Sequence, residues 1–172
     1  MVHAGEACVF FNPKLLFGLI GHVGWGWETA NSTTYVYGSD DGPTDNNSCG
    51  GSKNWLQAIG TRDDMISWFK GRNYSSYNCE TVQNPVADAA NSMITTVKNI
   101  PYYWAGLLCL QKNSSNCLDD TVAILGAYNA PGLQPATILN GGDPNPKTWF
   151  DSLGNTGDSS YGGSWSQSSI TL

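Results

Sequence analysis

A cysteine and a histidine, the two residue types that together perform thiol catalysis, occur at Cys117 and His22 in contexts that suit this chemistry. Asn116 is a good helix N-cap, Asp119 and Asp120 fall in the first turn, and apolar residues then recur at helical spacing. Cys117 is therefore expected at a helix N-terminus, where unpaired N–H groups and the helix dipole favour thiolate over thiol. Because the two acidic residues oppose this effect, a nearby base is required.

Histidine is the usual base for a thiol, because its pKa lies near neutrality and it can return the proton to a leaving group. The chain contains only His3 and His22. His3 lies near an unanchored terminus, whereas His22 lies on a predicted strand between glycines. We therefore expect His22 to act as base and acid for a Cys117 nucleophile.

These residue types also have simpler interpretations than the catalytic one. Cysteine is among the most commonly buried residue types, and Cys109, within an apolar run, is expected to be such a core residue. His22 has a structural alternative as an ordinary strand residue. Asp119 and Asp120 are interpreted as helix N-terminal charges rather than as an acid/base pair.

The strand predicted around His22 has two unlike faces. Val23, Trp25 and Trp27 alternate with His22 and two glycines, which is the period of a strand with one apolar face. The tryptophans are expected in the core. The glycine face has no bulk, so another element can approach it closely. Residues 34–39 are predicted to form the next strand and to complete a hairpin.

The rest of the chain predicts a mixed α+β protein. Residues 7–11 form an apolar, β-prone run, and residues 101–110 form either a strand or a loop. Helices are predicted over residues 61–71, from about residue 84 with an apolar stripe up to Val97, and over residues 143–154. Residues 40–53 are predicted to be a long polar loop, either a lid or disordered. We predict one domain over residues 1–155 and a loose Ser- and Gly-rich tail over residues 156–172.

The charge composition excludes some classes of partner. The chain of 172 residues carries a formal charge of −6 with only 8 Lys and Arg, so a nucleic-acid or anionic-membrane partner is not expected. No stretch approaches the roughly 18 apolar residues of a membrane span, and no signal-peptide pattern is present. These features favour a soluble protein, with a cytoplasmic location preferred to the removal of a signal.

Five cysteines leave one unpaired under any full pairing. Cys49 and Cys79 lie in loop-like surroundings and could form a disulfide in an oxidising compartment, whereas Cys8 is expected to be a buried small hydrophobe. The cysteines and histidines lack zinc-ligand spacing, so no metal or other cofactor is expected.

The segments 21–26 and 116–117 together resemble motifs of the circularly permuted papain-like enzymes. Gly21-His22-Val23-Gly24-Trp25-Gly26 is similar to their H-x-G strand, and Asn116-Cys117 before an apolar helix resembles their later N-C motif. This group includes permuted NlpC-type peptidases and lecithin:retinol acyltransferase-like proteins. Histidine also precedes cysteine in the chain, which is the permuted order. The resemblance covers roughly residues 4–40 and 100–153.

The resemblance implies a permuted papain-like fold, with a small antiparallel sheet that carries His22 and packs on helices. It also implies acyl transfer through a Cys117 thioester, without a cofactor, on a small-molecule, peptide or lipid-derived substrate. The family usually orients the imidazole with a polar residue on the following strand. Ser39 is the candidate here, with Asp40 and Tyr37 behind it.

The sequence is also compatible with two functions other than catalysis. The first is a papain-like binding or scaffold domain that has lost activity, because the expected His, Asn or Gln is missing from the third position. The second is a carbohydrate-binding module that uses exposed tryptophan and tyrosine side chains, of which the chain has 7 and 8.

Overall fold

The fold joins one antiparallel sheet to four helices, which confirms the predicted α+β class. The structure is a computed structural model that describes residues 4–14, 21–31, 33–43, 49–103, 115–133, 145–154 and 165–171. Its strands are β1 (Gly5–Asn12), β2 (His22–Glu28), β3 (Tyr35–Pro43), β4 (Cys49–Gly51), β5 (Lys53–Gly60), β6 (Ser76–Val82), β7 (Tyr102–Tyr103) and β8 (Ser166–Ser169). Its helices are α1 (Arg62–Lys70), α2 (Ala87–Lys98), α3 (Cys117–Ala127) and α4 (Pro146–Leu153).

The main sheet has six strands in the order β5-β3-β2-β1-β6-β8, and every neighbouring pair is antiparallel. The predicted hairpin is present as β2 and β3, with Gly24 opposite Ser39 and Glu28 opposite Tyr35. A second, two-stranded sheet pairs β4 with β7. The strand that carries His22 is therefore central in the main sheet, with a partner on each side.

Helices cover both faces of the main sheet. Residues Val23, Trp25 and Trp27 of β2 pack in a core with the buried faces of α2, α3 and α4. The opposite face packs Phe10 and neighbouring side chains against Met65 and other residues of α1. The prediction that Trp25 and Trp27 are core residues is confirmed.

The glycine face of β2 allows α1 to approach, as its lack of bulk predicts. A Cβ atom on Gly24 would lie 2.5 Å from a ring carbon of Phe69, and one on Gly26 would collide with the sulfur of Met65. Both of these α1 side chains are fully buried. Any side chain larger than hydrogen at these positions would push α1 away from the sheet.

The predicted helices are present, with small shifts at their ends. Thr61 caps α1 in a capping box with Asp64, and α4 begins at Pro146 after the N-cap Asn145. The helix predicted from residue 84 begins at Ala87, and its stripe is buried at Ala90 and at the residues Ile94 and Val97. Residues 101–110 contribute β7, and residues 104–110 lie outside the described part of the chain.

Two segments predicted to be irregular contain strands. Residues 40–53 are not a polar loop at their ends, because β3 runs to Pro43 and β4 and β5 begin at Cys49 and Lys53. In the predicted tail, Ser166–Ser169 form β8 and pair with β6, so that prediction is wrong for these residues. Alternation of polar and apolar residues is weak in both segments, and these strands are set by pairing with distant residues: β8 with the edge strand β6, and β4 with β7 in the separate small sheet.

The disulfide joins Cys8 to Cys79, which corrects two predictions. Cys8 lies directly opposite Cys79 across the antiparallel pair of β1 and β6, and both are buried. Cys8 is therefore not a free apolar residue, and Cys79 is not available for Cys49. Cys117 is the free cysteine among the side chains that the structure describes.

The four described helices are all too short or too polar to cross a lipid bilayer.

Candidate active site

Cys117 is the first residue of α3, as the sequence predicts. The side chain of Asn116 accepts hydrogen bonds from the backbone N–H groups of Leu118 (2.9 Å) and Asp119 (3.1 Å). Asp119 completes the capping box by accepting from the N–H of Asn116 at 3.3 Å. The N–H of Cys117 has no partner within the helix, because α3 begins there. This N–H group lies next to the thiol and makes no hydrogen bond within the helix.

The imidazole of His22 lies close enough to Cys117 for the two side chains to interact electrostatically. His22 begins β2 and is only 3% exposed, and Cys117 is buried beside it. Residues 95 positions apart in sequence are thus brought together by the packing of α3 on β2. The structure brings together the two residues that the sequence analysis selected as nucleophile and base.

Asp41 is the residue that holds the imidazole. Its Oδ1 lies 3.0 Å from Nε2 of His22 and also accepts a hydrogen bond of 2.6 Å from the hydroxyl of Ser39. Because Asp41 occupies Nε2, Nδ1 is the nitrogen left to exchange a proton with Cys117. Ser39 is the residue expected from the sequence to make this contact. In the structure, Ser39 donates its hydrogen bond to the carboxylate of Asp41, and Asp41 in turn contacts His22.

The charges around His22 favour its protonated form. Burial lowers the pKa of His22, but the Cys117 thiolate and the hydrogen bond to Asp41 outweigh this effect and raise the pKa to about 10. For Asp41, burial raises the pKa, and the hydrogen bonds from His22 and Ser39 reverse the shift and lower it. The imidazolium of His22 and the carboxylate of Asp41 are therefore adjacent opposite charges in a largely buried site, with the Cys117 side chain beside the ring.

Asp41 was missed because β3 was predicted to end at Ser39. The register of the hairpin pairs Gly24 with Ser39, so continuing it by two residues on each strand brings His22 opposite Asp41. The signal was therefore available from the predicted hairpin. It required extending β3 into a segment whose Gly, Asp and Pro residues are typical of a turn.

A second polar cluster is buried beside the site. The ammonium group of Lys53 donates to Asp120 (2.5 Å), to Ser115 (2.6 Å) and to the carbonyl of Val97 (2.7 Å). It also lies 3.7 Å from Asp40. Asp120 is therefore more than a helix N-terminal charge, which corrects that prediction, whereas Asp119 does act at the helix start.

The remaining candidates do not join this site or lie outside the described residues. Tyr37 packs on Trp68 and Phe69 in the core beneath α1. Neither His3 nor Cys109 is among the described residues. Within the described ranges, one group with metal-ligand composition occurs, Glu6 with Cys8 and Cys79, but both of its sulfurs are in the disulfide and cannot bind as thiolates.

The tryptophans give little support to a sugar-binding surface. Of the six described tryptophans, Trp25, Trp27, Trp149 and Trp165 are buried, and Trp55 and Trp68 are half-buried. A stacking platform requires exposed aromatic faces. The described part of the chain therefore uses its tryptophans mainly in the core.

Comparisons with models of protein families, with curated proteins and with solved structures found no match for this chain.

Proposed function

We propose that this protein is a cysteine-dependent hydrolase or acyltransferase that acts on an amide or ester bond through a thioester on Cys117. The observation that carries the proposal is the buried contact series from Cys117 to His22 and from His22 to Asp41. A nucleophile, a base and a residue that orients the base are the three parts that thiol catalysis requires. The permuted papain-like resemblance supports the same assignment.

The geometry supports a two-step mechanism. Cys117 passes its proton to Nδ1 of His22, and the thiolate attacks the carbonyl carbon of the substrate. The imidazolium then protonates the leaving amine or alcohol, which departs and leaves the thioester. In the second step His22 takes a proton from water or an acceptor nucleophile, whose attack releases the acyl group and restores Cys117.

The start of α3 offers a donor for the developing oxyanion. The backbone N–H of Cys117 has no helical partner, and it lies at the positive end of the helix dipole. Negative charge on the carbonyl oxygen would be stabilised there during attack. The substrate bond would then lie over the N-terminus of α3, with its leaving group towards His22.

Asp41 bears on the choice between an enzyme and an inactive scaffold. The scaffold alternative rests on the absence of the expected His, Asn or Gln from residues 37–40. Asp41 makes the hydrogen bond to His22 that a third catalytic residue would make. Its presence therefore weakens the case for an inactive scaffold. Burial of an imidazole beside a thiol and a carboxylate costs free energy, and catalysis gives this arrangement a purpose.

Acylation by an activated ester tests the proposal. The intact protein is incubated with p-nitrophenyl acetate, and the acyl adduct is located by peptide mass spectrometry. We expect an adduct on Cys117 that forms far more slowly in His22→Ala and is absent in Cys117→Ala. Release of the acyl group to water or to an added amine separates hydrolase from transferase. No adduct on Cys117 in the wild type would support the scaffold alternative.

The disulfide bears on the compartment. Disulfides persist in oxidising compartments and are rare in the cytosol. The Cys8–Cys79 bond therefore counts against the cytoplasmic location expected from the sequence, and we propose an oxidising compartment. Peptide mapping of protein from its natural source, alkylated before any reduction, tests this. Free Cys8 and Cys79 thiols in that material would contradict it.

A further inference from the structure

We propose that Lys53, Asp40 and Asp120 form a positioning group for the active site, in which the two carboxyl groups share one proton and hold the strand of Asp41 against the helix of Cys117. This inference rests on the proposed function. None of the three residues touches the reacting atoms, so each would act through its catalytic neighbour.

The burial of these three side chains is nearly complete. Lys53 is 2% exposed, Asp40 is 0% and Asp120 is 1%. Lys53 on β5 satisfies all three of its N–H bonds with Asp120, with Ser115 and with the carbonyl of Val97 on α2. Lysine is rarely buried in this way unless it is paired, so the cluster is a specific feature of this fold.

The charges of the cluster do not balance if both carboxyl groups are ionised. Two carboxylates and one ammonium would leave one net negative charge in a cluster whose side chains are almost fully buried. One oxygen on each side chain, Oδ2 of Asp40 and Oδ1 of Asp120, is also buried without a conventional donor. A proton held between the two carboxyl groups removes the excess charge and gives these groups a hydrogen bond to each other.

Asp40 is the group that holds this proton. Burial raises the pKa of Asp120, but the charge of Lys53 and its hydrogen bond oppose this shift, so of the two carboxyl groups Asp120 is the one that Lys53 holds as the carboxylate. Asp40 lies further from the ammonium, and one of its oxygens accepts only a long bond of 3.4 Å from the N–H of Gly42. Burial and the charge of Asp120 raise the pKa of Asp40 to about 8. A carboxyl on Asp40 then donates to a carboxylate on Asp120.

The cluster is connected to both ends of the catalytic series. Asp40 immediately precedes Asp41 on β3, at the point where the pairing of β3 with β5 shifts in register. Asp120 follows Cys117 by three residues, so it lies one turn along the same helix. A bond between Asp40 and Asp120 therefore fixes the distance between the strand that orients His22 and the helix that presents the thiol.

Other titratable groups face the cluster and must be distinguished from it. Asp41 adjoins it on β3, Lys53 enters from β5, and Cys117 and its partner His22 lie on α3 and β2. Tyr102 on β7 lies between the two sites: burial raises its pKa first, and the negative charges of Cys117, Asp40, Asp120 and Asp41 add to this. Burial raises the pKa of Asp40 to about 8 and also raises the pKa of Asp120, which Lys53 opposes. His22 loses its proton near pH 10, which separates the two events.

Asp40→Asn is the informative variant because its amide donates where the shared proton would lie, without titrating. The rate of iodoacetamide labelling of Cys117 is followed from about pH 6 to about pH 9.5. In the wild type we expect this rate, relative to the thiolate present, to fall roughly three- to tenfold above about pH 8, because repulsion between the two carboxylates displaces the helix. In Asp40→Asn we expect the rate to stay level over that range.

Asp120→Asn is the matched control. It is equally conservative, but it removes the charge that binds Lys53, so we expect labelling at least about tenfold slower at every pH. Near-UV circular dichroism of each variant reports whether the fold is intact. If Asp40→Asn follows the wild-type profile, or if the two variants behave alike while folded, the positioning role is contradicted.

Infrared spectroscopy detects the protonated carboxyl group directly, without labelling of Cys117. We expect the carbonyl stretch of a protonated carboxyl in the wild type at about pH 7, its loss above about pH 8, and its absence from Asp40→Asn. Absence of the band in the wild type at about pH 7 overturns the inference. If instead the band is present but Cys117 does not label, the proposed function fails while the shared proton stands.

Discussion

Nε2 of His22 lies 3.0 Å from Oδ1 of Asp41, directly across the hairpin formed by β2 and β3. The contact fixes the ring, leaves its second nitrogen for Cys117 and stabilises the imidazolium. Asp41 is 27% exposed on its side chain, whereas His22 is buried, so the charged series reaches the surface at its carboxylate end. The contact therefore determines which ring nitrogen of His22 faces Cys117.

Asp41 should matter more than Ser39. A hydrogen bond to a charged partner contributes about 1.5–3 kcal/mol, so Asp41→Asn should slow acylation of Cys117 by roughly 10- to 100-fold. Ser39→Ala removes only a bond to the carboxylate and should cost less than about tenfold. Stopped-flow acylation with an activated ester measures both. A larger loss in Ser39→Ala than in Asp41→Asn would return Ser39 to the role that the sequence analysis gave it.

The titration of His22 should depend on Cys117. The thiolate is the largest of the influences that raise the His22 pKa to about 10, and burial opposes it. In Cys117→Ala we therefore expect a lower pKa, since burial is then opposed by Asp41 alone. Two-dimensional NMR of the imidazole nitrogens reports the titration directly, with His3→Ala as the background that leaves one histidine. Titration of His22 near its ordinary value of 6.5 in the wild type would contradict an ion pair.

Much of this architecture could be predicted from local patterns in the sequence. The cap at Asn116 located the start of α3, and the alternation of Val23, Trp25 and Trp27 located β2 and its buried face. The glycine face of β2 predicted the close approach of α1. Each of these features depends on neighbours in the sequence, which is where periodicity and capping carry information.

Features that depend on contacts between residues distant in sequence are harder to predict from the sequence. Cys8 and Cys79 are paired by the register of β1 against β6, and no spacing rule selects that pair among five cysteines. Lys53 and Asp120 lie on elements 67 positions apart, and a buried ion pair has the same residue types as an exposed one. Asp41 is an intermediate case between local and long-range features. The register of the predicted hairpin places it opposite His22, provided that β3 is extended beyond Ser39.

Asp40 should make the stability of the fold depend on pH in a defined direction. Its folded-state pKa of about 8 lies above its ordinary value of 3.8, so the folded chain retains a proton that the unfolded chain releases. The contribution is fully present below the ordinary value and is lost as pH rises through about 8. Relative to Asp40→Asn, the wild type should lose about 1–3 kcal/mol of unfolding free energy between about pH 5 and about pH 8.5. Urea unfolding at the two pH values measures this, and parallel behaviour of the two proteins would contradict it.

Two glycine substitutions should have opposite effects on stability. Gly24→Ala forces a methyl group into Phe69 of α1, and overpacking of this kind costs about 1–3 kcal/mol. Gly126→Ala, near the end of α3, meets no atom within 4 Å and should stabilise the helix by about 0.5–1 kcal/mol. Thermal unfolding followed by circular dichroism compares them. Equal effects would show that α1 does not approach the glycine face as described.

The most direct test is the pH dependence of iodoacetamide labelling at Cys117, read by peptide mass spectrometry in the wild type and in His22→Ala. Since the imidazolium stabilises the thiolate, we predict rapid labelling of Cys117 below about pH 7 in the wild type and its loss in the variant, with labelling shifted towards the ordinary thiol range near pH 8.5. Cys109 provides an internal reference as the cysteine that the sequence predicts to be inert. If Cys117 labels slowly below about pH 7 in the wild type, or identically in both proteins, the proposed pairing of thiolate and imidazolium is wrong.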